Sequence, residues 1–464
     1  MPERLTAPDA NFLLIEQPSV HMHVAGLSIL DPSTRPDGVL GYEDVVDLIR
    51  ARIHLVPRFR QKVVFVPFNA GRPVWVDDAN FDLDFHVRRA ALPAPGGRRE
   101  LADYVQRVCS RPLDRSKPLW EMYVIEGLED GHVAILSKSH HAMIDGMSGI
   151  DIATALFDFT PEPRYVEPEG EWHPAPEPSQ RDLLVEALTE QVTHPVRVAL
   201  QNAAMLVQTP QIALGKVGDL IGGIASILGA GAPPKSPYNV PVGPNRRFAM
   251  AEVPVADAKL IKNSLGGTVN DVVLAAVAGS LNRSLLARGL STSGLALRAM
   301  IPVSTRDESH RMAMGNRVSS IFVDLPIGAP DAATRLRKIT TATKDLKSSH
   351  QAVAAGALMG IGAWAPPTLH GLAARLVARQ RFVNLVISNV PGPQVPLYLA
   401  GARMLVTYPV MPLGETTALS VAVTSLSGVM GFGFTGDWDA VPDVERLAEG
   451  LVASFEDLKK AAGA

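Results

Sequence analysis

The sequence predicts an α/β protein built from two similar halves, on three observations. Residues 1–160 alternate strand-like and helix-like segments. A Pro- and Glu-rich passage, PEPRYVEPEGEWHPAPEPSQ (161–180), then leads into a stretch to about residue 230 with few strand signals. From Arg246 the mixed pattern resumes. A chain of 464 residues also exceeds what one compact core organises. The expected units are therefore 1–180, a helical connector 181–245, and 246–464.

In the first half, HMHVAGLSIL (21–30) reads as a strand, and YEDVVDLIRARIHLV (42–56) sets apolar residues at helical spacing. RQKVVFVPF and RPVWVDD read as strands around the turn Asn69-Ala70-Gly71, and RELADYVQRVC reads as a helix. EMYVIEGL and HVAILSKS form a hairpin about Glu129-Asp130-Gly131. The connector closes with the Pro/Gly-rich GAGAPPKSPYNVPVGPN (229–245). In the second half RFAMAEVPV is a strand, VNDVVLAAVAGSLNRSLLARG a long apolar helix, and LALRAMIPVS and RVSSIFVDLP are strands. Residues 331–381 read as helical and locally basic. NLVISNVPGP and ALSVAVTSLSGVMGFGFTGDW add strands, and DVERLAEGLVASFEDLKKAA is an amphipathic terminal helix. No repeat relates the two halves.

Hydrophobic residues are 47% and charged residues 20%, a balance that fits a globular chain. The 44 basic and 47 acidic residues leave a net charge of -3, with no broad positive field for nucleic acid. The one cysteine, Cys109, cannot form an internal disulfide, which fits a reducing, cytoplasmic compartment. With Val105 and Val108 it falls at helical spacing and reads as core packing. The N-terminus lacks a signal peptide's apolar core, and no apolar run is long enough to span a membrane.

Chemistry concentrates in SKSHHAMIDG (137–146). Val133 to Leu136 are apolar on both faces, as in a strand covered on both sides, so His140 and His141 lie where that strand leaves its sheet. Successive strand residues point to opposite faces, so one imidazole of the pair can enter a given cavity while hydrogen bonds hold the other. Histidine suits proton transfer near neutral pH, and a hydroxyl needs such a base before it attacks an acyl group. The alternative is a pair of hydrogen-bonded histidines at a strand end. Asp145 reads either as a turn or cap residue, with Gly146 completing the turn, or as an ionic brace for the loop. Adjacent histidines on a strand face apart, so no metal site is expected. Gly431-Phe432-Gly433-Phe434-Thr435-Gly436 matches G-x-G-x-x-G, but DWDAVPD follows it instead of a helix, so it reads as a glycine-alternating strand.

His140-His141-Ala142-Met143-Ile144-Asp145-Gly146 resembles the HHxxxDG motif of the CoA-dependent acyltransferase superfamily, which includes chloramphenicol acetyltransferases and peptide-synthetase condensation domains. Other blocks resemble one branch of it, the bacterial wax ester synthase/diacylglycerol acyltransferases. These are the opening LTAPDANFLLIEQPSVHMHVAGLSIL, Pro118-Leu119-Trp120-Glu121, Thr268-Val269-Asn270-Asp271, PVSTR (302–306), GNRVSSIFVDLP, SNVPGP and YPVMPLGETTALSVAVTSL. HMHV stands where the family more often has PMHV. The resemblance implies two chloramphenicol-acetyltransferase-like domains, mixed β-sheets flanked by helices, forming a pseudodimer with an interdomain channel. By position His141 is similar to the family's general base, His140 supports it, and Asp145 resembles an aspartate that pairs with an arginine, for which Arg306 is the candidate. Asn270 would approach the site and Asp271 would brace its helix; the plainer reading is that Asn270 or Asp271 caps that helix. Pro118, Leu119 and Trp120 read as structural.

The implied reaction moves a long-chain acyl group from acyl-CoA, a co-substrate, to diacylglycerol or a long-chain alcohol, with no resident cofactor. The implied setting is cytoplasmic, at a membrane or lipid-droplet surface. Residues 196–228 and 355–382 are candidate interfacial segments, or else each packs on its own domain. Arg335, Arg337, Lys338, Lys344, Lys347, Arg375, Arg379 and Arg381 would meet CoA phosphates or form a solvated face. Two readings compete: the same fold acylating another lipid or polyketide hydroxyl, and a non-catalytic lipid-surface binding protein.

Overall fold

The computed structural model describes residues 2–144, 155–190, 233–304, 318–348 and 382–464. In chain order its strands are β1 (Glu3–Arg4), β2 (His23–Asp31), β3 (Gln61–Val64), β4 (Val74–Asp77), β5 (Val87–Ala91), β6 (Trp120–Glu126), β7 (Val133–His140), β8 (Arg246–Pro254), β9 (Leu297–Ser304), β10 (Val318–Leu325), β11 (Leu385–Val390), β12 (Tyr398–Leu399), β13 (Ala402–Val410), β14 (Leu419–Leu426) and β15 (Val429–Asp437). The helices used below are α1 (Ala7–Ile15), α2 (Tyr42–Arg52), α3 (Leu83–His86), α4 (Arg98–Cys109), α5 (His141–Ile144), α6 (Val255–Leu265), α7 (Val269–Ala287), α8 (Ala332–Ser348) and α9 (Val444–Ala461). Residues 180–190 are also helical.

Two six-stranded mixed sheets carry the fold, in the orders β12-β13-β2-β7-β6-β5 and β10-β9-β11-β14-β15-β8. β7 is antiparallel to both neighbours, and His23 stands opposite His140 in the β2 register. Val133 to Leu136 are buried, so the strand is covered on both faces. The turn before β7 relies on Gly131, at φ 71°.

The sheets do not divide cleanly at residue 246. β12 and β13 follow that point in sequence, yet β13 pairs antiparallel with β2 and completes the first sheet. The alternating glycines explain how β13 fits. A Cβ on Gly431 would stand 2.1 Å from the Thr407 carbonyl oxygen, and one on Gly433 would stand 1.9 Å from that of Pro409. β15 therefore presents bare backbone where β13 crosses it, a close approach that only glycine permits. The G-x-G-x-x-G pattern is thus a packing device between sheets.

The core of the second half surrounds α7, whose residues from Val272 to Leu281 are all buried. Each fully buried Val or Leu side chain there contributes about 1.5–3 kcal/mol. The seam core joins residues from both halves, including Leu27, Leu136, Phe248, Met250 and Tyr408. Cys109 packs beside it, and burial pushes its thiol up to about 11, away from thiolate chemistry. Among the described residues no single helix is long and apolar enough to cross a membrane. Residues 191–232 and 349–381, which contain most of both candidate interfacial segments, lie outside the described residues.

Candidate active site

The site is assembled at the end of β7, from α1 and the chain that follows it. Thr6 caps α1, its hydroxyl accepting from the Asp9 N–H at 3.3 Å. α1 stops at Glu16, and Pro18 cannot continue it. The helix thereby delivers Phe12 and Glu16 to the histidines. The Phe12 ring stacks on His141 at 4.0 Å between centroids, inclined 22°. His141 is half-buried, and its backbone N–H donates to the Met22 carbonyl at 2.8 Å.

His140 is buried and faces His23, with ring centroids 5.7 Å apart. The Ala142 N–H donates to His140 Nδ1 at 3.1 Å. That bond leaves Nε2 as the protonated nitrogen of a neutral imidazole. Nε2 lies 3.2 Å from Glu16 Oε1, off the straight hydrogen-bond line but within strong ion–dipole range. Burial lowers the His140 pKa, against the opposing pull of Glu16. His23 Nε2 lies 3.5 Å from the same oxygen, and burial pushes its pKa down to about 2.

Glu16 is the electrostatic centre of this knot. Its Oε1 also accepts from the Met22 N–H at 2.8 Å, and its Oε2 accepts from Arg115. Burial by itself would raise the Glu16 pKa, but His140, Arg115 and His23 together hold the carboxyl well below the usual carboxylate range. The knot is tied to the second half by Gln17 Nε2 donating to Glu415 at 3.2 Å and Arg246 donating to the Ser19 carbonyl at 2.5 Å.

Leu119 and Trp120 hold this end of β7 in place. The His140 N–H donates to the Leu119 carbonyl at 2.9 Å, and the Trp120 N–H donates to Pro118 at 2.9 Å. The Trp120 ring lies between Phe59 and His86, 4.6 Å from each, and its Nε1 donates to the Phe59 carbonyl at 2.9 Å. These residues fill core and fix backbone beside the histidines.

The Asn270-Asp271 pair stands at the start of α7. The capping expectation needs correction: the cap is Thr268, and Asp271 is the third helical residue of a capping box. The Thr268 N–H donates to Asp271 Oδ2 at 2.8 Å, and the Asp271 N–H returns a bond to the Thr268 hydroxyl at 3.2 Å. Thr343 of α8 donates to the other Asp271 oxygen at 2.7 Å. Asn270 Oδ1 accepts from Asn389 Nδ2 at 3.0 Å, joining this pair to the SNVPGP segment. Asp145, Gly146 and Arg306 lie outside the described residues. Of the basic run, Arg335 is buried and Arg337 donates to Thr334 at 2.8 Å, while Arg375, Arg379 and Arg381 lie outside the described residues.

The sequence reading did not single out Phe12, Glu16, His23 or Arg115. Three of the four lie inside the opening block that carried the resemblance, where the alternation of His21 and His23 is the one signal that could have pointed to His23. Arg115 is 99 residues from Glu16 in the chain and had no local signal.

Chemically, the site offers a half-buried imidazole beside a neutral one whose protonated nitrogen is turned to a buried anion. Such a pair serves proton transfer to and from a hydroxyl. Comparison with known proteins agrees with this class. Residues 5–273 match the model for the wax ester synthase/diacylglycerol acyltransferase catalytic domain, and residues 314–459 match that for the C-terminal domain. A Mycobacterium tuberculosis protein assigned as a diacylglycerol O-acyltransferase is 34% identical over 98% of this chain and 90% of its own length. A second from the same species is 34% identical over 98% of both chains. The solved wax ester synthase/diacylglycerol acyltransferase of Marinobacter aquaeolei superposes with a TM-score of 0.71 at 27% identity, covering 99% of this chain and 100% of that one. The starter condensation domain of rhizomide synthetase shares the fold, with a TM-score of 0.59 at 12% identity over 100% of this chain and 94% of its own. With both family models matched in order along a single α/β chain, the protein belongs to the wax ester synthase/diacylglycerol acyltransferase family.

Proposed function

We propose that the chain transfers a long-chain acyl group from acyl-CoA to the hydroxyl of diacylglycerol, and also to long-chain alcohols, with His141 as general base. The observation that carries this is the histidine pair at the end of β7, with His140 fixed between the Ala142 N–H and Glu16 and His141 half-buried on Phe12.

In this mechanism His141 removes the acceptor's hydroxyl proton as the oxygen attacks the thioester carbonyl. The tetrahedral adduct collapses with cleavage of the C–S bond, and the departing thiolate takes the proton back from His141. An ester and free CoA result, with no acyl-enzyme and no resident cofactor. His140 and Glu16 position the loop and keep a second positive charge away from the base. The same reading gives Asp145 and Arg306, which lie outside the described residues, the role of an ionic brace, and Asn270 that of bordering the site from the second half.

Both acceptors are apolar bodies with one hydroxyl, so the enzyme meets them at a membrane or lipid-droplet surface on the cytoplasmic side. The segments 196–228 and 355–382 are the parts of the chain suited to that contact.

The test is CoA release from palmitoyl-CoA with dioleoylglycerol and hexadecanol offered in parallel, with lipid products identified by mass spectrometry. Triacylglycerol or wax ester formed by the wild type and lost in His141→Ala supports the reading. Absence of CoA release with both acceptors overturns it in favour of another hydroxyl acceptor or of lipid binding alone.

A further inference from the structure

Two cavities open along the seam between the halves among the described residues, and their linings differ in charge. One, of about 400 Å³, mixes Glu129, Asp130 and Glu252 with Arg98 and Arg403, and its Arg98 is paired with Glu252. The other, of about 500 Å³, is lined by Arg107, Arg111 and Arg246, with Trp438 and Asn245. Its single acidic residue, Asp103, accepts a hydrogen bond from Gln106. The lining of this second groove is therefore predominantly cationic.

Arg107 stands in the last turn of α4 and Arg111 just past its end; both are exposed, and neither makes an ion pair among the described residues. Two exposed guanidiniums lining one groove leave a positive charge that an anionic ligand would neutralise. Arg246 is buried beneath them, its guanidinium spent on the carbonyls of Gly243, Asn245 and Ser19. It braces the floor and adds its charge. Trp438 is 40% exposed at the rim, with one face covered by the Arg247 guanidinium 3.9 Å from the ring centroid.

The groove is joined to the histidine knot on two sides. Arg246 holds the Ser19 carbonyl, two residues before His21. Lys138, two residues before His140 on β7, donates to the carbonyls of Val108 and Arg111 at 3.0 and 2.5 Å. A thioester donor with a phosphorylated nucleotide at its far end matches this layout.

We infer that this groove seats the adenosine bisphosphate end of the acyl-CoA donor, with Arg107 and Arg111 on phosphate oxygens and the exposed Trp438 against the adenine. Guanidinium forks fit phosphate oxygens bidentately, and aromatic faces stack on bases in a sequence-independent way. The inference rests on the acyltransferase reading for the identity of the donor.

The experiment compares wild type with Arg107→Gln/Arg111→Gln. Calorimetric titration with adenosine 3′,5′-bisphosphate reads the groove alone. Steady-state kinetics with palmitoyl-CoA and with palmitoyl-pantetheine, which lacks the nucleotide, reads its use. The double variant is expected to weaken bisphosphate binding and raise the palmitoyl-CoA KM by about tenfold or more, since two charge-assisted contacts are lost. Its kcat, its melting temperature and its kinetics with palmitoyl-pantetheine stay at wild-type values. Trp438→Ala gives a smaller loss in the same direction. Equal bisphosphate affinity in wild type and double variant overturns the inference, as does an equal loss with both thioesters. Failure of the wild type to turn over palmitoyl-CoA at all would instead count against the acyltransferase reading, and the titration would still decide whether the groove binds the bisphosphate.

Discussion

The end of β7 and the start of α7 make an instructive pair. Each carries a motif visible in the sequence, and each centres on a carboxylate largely withdrawn from solvent. At α7, Asp271 is enclosed by its own helix cap and by Thr343, all neutral donors that satisfy it locally. At β7, Glu16 is enclosed by two imidazoles and an arginine drawn from three separate parts of the chain. A helix cap needs only nearby hydroxyl and amide groups. An ionised carboxylate surrounded by titratable partners is costly to assemble from distant segments, and such clusters concentrate at functional sites.

The comparison is broken most decisively by His141→Ala. If the β7 end is the reacting centre, turnover falls by about 10²–10⁴-fold while the circular dichroism spectrum and melting temperature are kept. Retention of a tenth of the activity would remove His141 from the role of base. The next largest effect separates buried charge used for scaffold from buried charge used for chemistry. Arg52 and Asp158 form an ion pair with both side chains only 2% exposed, remote from the histidines in function. Asp158→Ala strands the guanidinium and should cost about 3–5 kcal/mol in denaturant unfolding, with kcat of the folded fraction unchanged.

A pH titration sharpens the contrast. His23 has its folded pKa pushed from 6.5 down to about 2, so the unfolded chain binds the extra proton between those values. Its stabilising contribution is complete above about pH 6.5 and is lost as the pH falls, by up to about 1.4 kcal/mol per pH unit. Glu16, also depressed, adds a further loss once the pH drops below its ordinary value of 4.5. Thermal melts should therefore decline below about pH 6.5, and His23→Gln should make that decline shallower. An identical slope in the variant would mean that His23 does not sense the acid. The smallest effect belongs to α7: Asp271→Ala removes one half of a capping box and should lower stability by about 1 kcal/mol, read by the same denaturant titration.

Local signals carried much of this in the sequence. The histidine pair is contiguous, and the apolar run before it marks a covered strand, so its place at a strand end was legible. Strand and helix patterns placed β2, α4, β6, β7 and α9 close to their observed bounds. What escaped was long-range. Alternation marks β13 as a strand but cannot say which sheet will take it. Glu16 reads as a polar residue before a proline until Arg115 and His140 are brought to it. Thr268, Asn270 and Asp271 all carry side chains that cap helices, so local sequence alone does not decide which of them does so.

The placement of β13 has a consequence for the order in which the molecule is made. β2 emerges early from the ribosome, but its partner strand is encoded some 380 residues later. Until residues 402–410 arrive, one edge of the first sheet displays unpaired N–H and C=O groups beside the very strand that holds His23. Closing so long a loop is entropically slow, and an open edge is a template for wrong pairing. The first sheet, and the end of β7 within it, is therefore completed only when nearly the whole chain is present.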